Sequence, residues 1–199
     1  LKTLFEIEND IFDKKYKMAV DGDGHEYRSI FTLHSSSLVA LLCFYNVSTE
    51  HPLSFEMGKE NHMCTFTQSY YECQNKIDGA PKPSNIDVVL IGEDEITKES
   101  IIVFLESKFS EYLSGGKKEI SDIYSNIFSG LKIEELQFIK NNKTWTIVSN
   151  KSPYPYCEGI KQMITHYAGL RIKREGFGQC DRKVGIKDNF DKIYLGETT

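Results

Sequence analysis

The chain has no apolar run long enough to span a bilayer and no signal-peptide pattern at its start, so a spanning helix is excluded and export is not expected. Its five cysteines, Cys43, Cys64, Cys73, Cys157 and Cys180, are odd in number and contain no CxxC spacing. A full disulfide framework is thereby excluded, and reduced thiols in a cytoplasmic protein are expected. A basic excess is also missing: 24 lysines and arginines stand against 29 acids, a net charge of −5. That argues against nonspecific coating of nucleic acid, while leaving room for a cleft where basic residues and a metal reverse the local field. The chain opens on Leu1 rather than Met, as a fragment or a processed form would.

What is present suits one domain. A chain of 199 residues can bury a proper core without staples. Apolar spacing at Leu4, Phe5, Ile7, Ile11 and Phe12 predicts a short helix, followed by a turn at Asp21-Gly22-Asp23-Gly24. That turn begins like a calcium loop, but no acid closes it at the required spacing. Ser35 to Ser37 offer N-caps to LVALLCFYNV, a helix apolar nearly all round and so buried, over residues 35 to 47. CTFTQSYYECQNKI, rich in Thr, Tyr and Phe, reads as a long strand, and DGAPKPSN as a loop.

The informative stretch is residues 84 to 113, SNIDVVLIGEDEITKESIIVFLESKFSEYL. IDVVLI and IIVFLESKF are strands joined by the polar GEDEITKES, and a symmetric hairpin sets Ile91 against Ile102, Val89 against Phe104 and Asp87 against Glu106. Glu106 and Lys108 are two apart, so they leave the same face of their strand. Three charges thus meet inside apolar strands, where an uncompensated charge is expensive. A hard divalent cation between the two carboxylates removes their repulsion, and the adjacent lysine can hold a phosphate or hydroxide. These are the parts needed for metal-assisted cleavage of a phosphodiester. The other reading of the same residues is a structural ion-pair cluster, or a fold kept for binding without chemistry.

The order Asp87, then Glu106-Ser107-Lys108 at the end of an apolar strand, resembles the PD-(D/E)xK nuclease superfamily, with Asn85-Ile86-Asp87 standing where the family often has Pro-Asp. Tyr71-Glu72-Cys73, the IDVVL strand and VFLESKFSE are similar to bacterial restriction-endonuclease-related proteins, over residues 35 to 170. The resemblance implies an α/β (α+β) restriction-endonuclease-like fold, a central mixed sheet flanked by helices. It implies Mg2+ or Mn2+ held by Asp87, Glu106 and the carbonyl of Ser107, with Lys108 orienting the attacking water, and DNA as the partner. Glu72 matches an acidic position that helps hold metal or water in relatives, and an exposed strand residue is the equal alternative. A homodimer is a further expectation, since two copies related by symmetry would cut both strands of a duplex.

Downstream, YCEGIKQMITHYAGL reads as an amphipathic helix over residues 156 to 171, with Gln162 and His166 projecting together one turn apart. In branches of the superfamily a helix after the ExK strand carries a Gln near the site, often followed by an aromatic residue; Gln162 and Tyr167 resemble that pair. His166 alone reads more readily as a surface or hydrogen-bonded histidine. His51, His62, Cys64 and Cys73 match no zinc spacing and read as structural residues, and Trp145 as a core residue. Residues 117 to 150 look like an insertion, helical and then strand-like, within a single domain over 1–199 whose core runs from about 35. FDKIYLGE supplies a last strand.

Overall fold

The computed structural model describes residues 10–20, 36–58, 61–75, 77, 79–108, 117–129, 136–149, 157–172 and 190–198. The first expected helix is seen from Asp10 as α1, Asp10–Val20, with Phe12 buried; Leu4, Phe5, Ile7 and the Asp21–Gly24 turn lie outside the described residues. The apolar helix is α2, Ser36–Phe44, where Ala40 and Leu41 are buried. A five-residue strand follows that the sequence reading passed over, β1, Leu53–Met57. It pairs antiparallel with β2, His62–Asn75, which pairs antiparallel with β3, Ser84–Asp94.

Strand β3 returns as β4, Ser100–Ser107, in the expected antiparallel register, with Val89 opposite Phe104 and Ile91 opposite Ile102. The C-terminal strand, here β8, Lys192–Thr198, lies parallel to β4, completing a mixed sheet in the order β1-β2-β3-β4-β8. A parallel pair needs a long crossover, and the chain between β4 and β8 supplies one that carries a whole second sheet.

The near-continuous apolar runs of β3 and β4 are explained by burial of both faces. Val88, Leu90, Ile101 and Val103 join Phe12 and Ala19 of α1 and Ala40 and Leu41 of α2 in one core. Their neighbours Val89, Ile102 and Phe104 face the other way, into a core with Leu170. Each fully buried side chain of this size contributes about 1.5–3 kcal/mol. The fold is thus mixed α/β, a mixed sheet with helices on both faces.

The inserted segment builds its own three-stranded antiparallel sheet, β5 (Lys118–Ser121), β6 (Leu136–Asn141) and β7 (Thr144–Ser149), in the order β5-β7-β6. A 3-10 turn, Asp122–Tyr124, and the short α3, Ser125–Phe128, precede β6, so the segment opens on a strand that the sequence reading did not expect before it turns helical and then extended. Phe128 stacks on Phe138 at 4.8 Å and meets Trp145 edge-on at 5.3 Å, so the half-buried Trp145 packs against this core. Helix α4, Cys157–Ile172, serves both sheets: Ile164 and Ala168 enter this core, and Leu170 the one on its side of the five-stranded sheet. Among the described residues no helix is long and apolar enough to cross a membrane.

Two irregularities shape the sheet. The β2–β3 register shifts between Phe66 and Gln68, and there the strands come so close that a Cβ on Gly92 would lie 2.1 Å from the Thr65 carbonyl oxygen. Further along β2, Glu72 has φ +50, a left-handed conformation that a non-glycine residue adopts at a cost of about 1–3 kcal/mol. Residues two apart in a strand normally share a face. Across this kink Tyr71 enters the α1/α2 core while Cys73 enters the α4 core.

Candidate active site

The site forms where β3 begins, β4 ends and α4 passes over them. Glu106 continues the alternation of Ile102 and Phe104, so it faces the α4 side and is only 3% exposed. Two residues on, Lys108 returns to the same place, and its Nζ donates to Glu106 Oε1 at 2.6 Å. Gln162 and His166, one turn apart on α4, reach down together. Gln162 Nε2 donates to Glu106 Oε1 at 2.6 Å, and His166 Nε2 lies 2.8 Å from Glu106 Oε2. Behind the imidazole, Nδ1 is hydrogen-bonded to the hydroxyl of Ser84, the first residue of β3.

Between Glu106 and Lys108, Ser107 takes the opposite face, its hydroxyl donating to the Ser36 carbonyl at the start of α2 at 3.1 Å. Its backbone N–H donates to Asp87 Oδ2 at 2.7 Å. The hairpin ladder closes at Val88 opposite Leu105, and one step further along the same register sets Asp87 against Glu106. Asp87 is half-buried, the most open member of a group in which Glu106, Ser107 and Lys108 are buried. Glu72 lies in the same row: Tyr71 pairs with Val88 and Cys73 with Ile86, placing Glu72 beside Asp87. It is buried, not an exposed strand residue.

Burial pushes the Glu106 carboxyl up, but the hydrogen bond and charge of His166 and the ammonium of Lys108 outweigh it and hold the group below the usual glutamate range. Glu106 is therefore ionised at neutral pH. Among the described residues the amide oxygen of Gln162, whose Nε2 bonds Glu106, is buried without a hydrogen-bond partner, so an oxygen acceptor stands ready beside that carboxylate.

That donor set suits a hard cation better than zinc. Among the described residues no three His, Cys, Asp or Glu side chains gather into a metal cage. Magnesium needs no such cage, because it keeps several waters and takes one or two carboxylates. Asp87 and Glu106 supply the two carboxylates, and the Gln162 amide oxygen beside them can accept from the waters that such a cation keeps.

Three details differ from the sequence reading. Tyr167 is 49% exposed and turned away, so the partner of Gln162 at the site is His166. Helical spacing explains this, since i and i+4 share a face and i+5 does not. Cys73 is disulfide-bonded, while Cys43, Cys64 and Cys157 are in no disulfide, which corrects the expectation of reduced thiols throughout. An odd cysteine count excludes a complete framework but not a single bridge. Ser84 was read as loop, and only its place in the β3 ladder opposite Asn75 brings it under α4. Elsewhere, His62 is bound to Asp94 Oδ2 at 2.8 Å and Cys64 is a buried free thiol, both structural as read.

Comparison of the chain with protein-family models, curated proteins and solved structures finds no match.

Proposed function

We propose that the chain is a metal-dependent nuclease of the PD-(D/E)xK type on a restriction-endonuclease-like fold, hydrolysing phosphodiester bonds of DNA. One observation carries the reading: Lys108, Gln162 and His166 converge on the Glu106 carboxylate in the row that also holds Asp87. Asp87, Glu106 and the main-chain carbonyl of Ser107 would hold Mg2+ or Mn2+. Bound there, a divalent cation supplies Lewis-acid polarisation of the phosphodiester and of the attacking water.

The chain's own residues provide the rest. Lys108 is a compact cation fixed at a carboxylate, suited to orienting a water and to steadying charge that develops on a phosphate oxygen. Gln162 holds the Glu106 oxygen that Lys108 shares, and Asp87, being half-buried, presents the accessible carboxylate. Incubation with supercoiled plasmid and with single-stranded DNA, in magnesium, manganese or EDTA, tests this. Cutting should need the metal and vanish in Lys108→Ala while circular dichroism stays native; full activity in that variant would remove Lys108 from the mechanism.

A second reading has an observation of its own. Both Glu106 oxygens already take protein donors, as a self-satisfied buried network would. On that reading the fold binds DNA without cleaving it. Metal-independent DNA binding together with no cleavage under any condition would favour it.

A further inference from the structure

We propose that Ser84 and His166 are positioning residues: Ser84 anchors the imidazole through Nδ1, and the anchored ring fixes one oxygen of Glu106, leaving the other to Lys108 and Gln162. This concerns how the carboxylate is held, and it stands whether or not the site cleaves DNA.

The hydrogen-bonding inventory settles the direction of the contact. An ionised carboxylate only accepts, so at 2.8 Å from Glu106 Oε2 the His166 Nε2 must carry the hydrogen. Its other nitrogen faces Ser84 Oγ, a group able to donate or accept, so the hydroxyl satisfies Nδ1 in either protonation state. His166, Ser84 and Glu106 are 3%, 6% and 3% exposed, which leaves bulk water little access to the chain of contacts.

Helix α4 therefore delivers two N–H groups from successive turns to the two oxygens of one carboxylate. Gln162 takes Oε1 and His166 takes Oε2. A carboxylate held at both oxygens cannot rotate about its terminal torsion, so its position toward Asp87 is set before any ligand arrives. Partners of this kind, which act through a ligating residue, alter metal affinity by about 10–100-fold when removed.

The approach of α4 has its own cause. One turn beyond His166, a Cβ on Gly169 would come to 2.9 Å of Asn75 Cβ, nearer than real side chains allow. Asn75 is the ladder partner of Ser84, so the glycine lets α4 lie close to the pair of residues that present the anchor. Neither Ser84 nor Gly169 belongs to the proposed catalytic set.

Two measurements on the intact chain test the proposal. The first is imidazole N–H NMR of 15N-labelled protein, with the His166 signal assigned by its loss in His166→Gln. A downfield Nε2 proton protected from solvent exchange is expected in the wild type; it should be lost to exchange in Ser84→Ala and in Gly169→Ala, and retained in Ser84→Thr. The second is titration with Mn2+ alone, whose affinity should fall about tenfold in Ser84→Ala and recover in Ser84→Thr. A wild-type His166 with no protected Nε2 proton, or a Ser84→Ala protein with unchanged protection, overturns the proposal. The wild-type spectrum needs no variant to fold. If Mn2+ binds neither wild type nor variant, the nuclease reading fails, and the proton spectrum alone decides the positioning role.

Discussion

The Glu106–Lys108 pair permits a quantitative test through a double-mutant cycle with Glu106→Gln and Lys108→Met. The two charged atoms lie 2.6 Å apart and the side chains are 4% and 5% exposed. At an effective dielectric of about 20 their attraction is about 6 kcal/mol, before the desolvation of two ions is subtracted. Because that penalty is several kcal/mol per ion, the intact pair contributes little net stability, whereas breaking it by removing one partner costs about 3–5 kcal/mol. Lys108→Met leaves Glu106 the donors of Gln162 and His166, so its loss should sit at the lower end, about 3 kcal/mol. The double variant should lose less than the sum of the singles by about 2 kcal/mol, a coupling typical of contacting residues. Urea denaturation of the four proteins at pH 7 measures all terms. Single losses below about 1 kcal/mol that simply add would match a solvated surface pair and refute the buried geometry.

Other perturbations test separate parts of the fold. Gly92→Ala would press a methyl against the Thr65 carbonyl oxygen and Phe66 Cα, both backbone, so it should lower stability by about 3 kcal/mol, and an unchanged urea midpoint would deny the close approach. Burial lowers the Lys15 amine to about 8 while its Nζ contacts the Ser69 carbonyl and hydroxyl. The folded chain then binds fewer protons than the unfolded one from that pH up to the ordinary lysine value of about 10.4, so wild type should gain stability relative to Lys15→Met across this window, by about 1–2 kcal/mol after discounting for solvent. Equal slopes in the two proteins would show an ordinary lysine. The N–H of Thr97 holds Asp94 well below the usual carboxylate range, against desolvation and with help from His62 and Lys192. Its contribution is present above the unfolded value of about 4 and lost as pH falls below it, so Asp94→Asn should flatten the acid limb of the stability curve measured by urea denaturation, while Lys192 keeps its 2.6 Å ion pair to Glu99.

Local regularities made much of this legible. The β3–β4 register followed from two apolar runs of matching length about a polar turn, and it holds at Val89 and Ile91. Asp87, Glu106 and Lys108 stood out because charges in such runs demand partners, and Gln162 only because its place on a helix after the ExK strand resembles the superfamily's pattern. The residues that were missed depend on distant chain. His166 reaches Glu106 across 60 positions and Ser84 across 82, and nothing near a lone histidine announces such partners. Strand β1 is short, LSFEM, with a period-two pattern that five residues hardly distinguish from loop. The parallel seating of β8 on β4 was hidden because the crossover holds a separate sheet with its own core.

The left-handed turn at Glu72 explains why the site lies where it does. A regular strand would keep Tyr71 and Cys73 on one face, and β3 opposite would keep Ile86 with Val88. Instead Tyr71 and Val88 pack with α1 and α2, while Cys73 and Ile86 pack with α4. The sheet changes face in the row of Glu72 and Asp87, and that row is next to Glu106. Beside it the regular alternation at the end of β4 engages both helix layers: Ser107 bonds the first residue of α2, and Glu106 bonds Gln162 and His166 of α4. An unkinked β2 would leave Asp87 on one regular face and separate it from one of those layers. The strained residue is thus placed where two buried cores and a half-open carboxylate meet, and relaxing Glu72 should displace Asp87 before it disturbs either core.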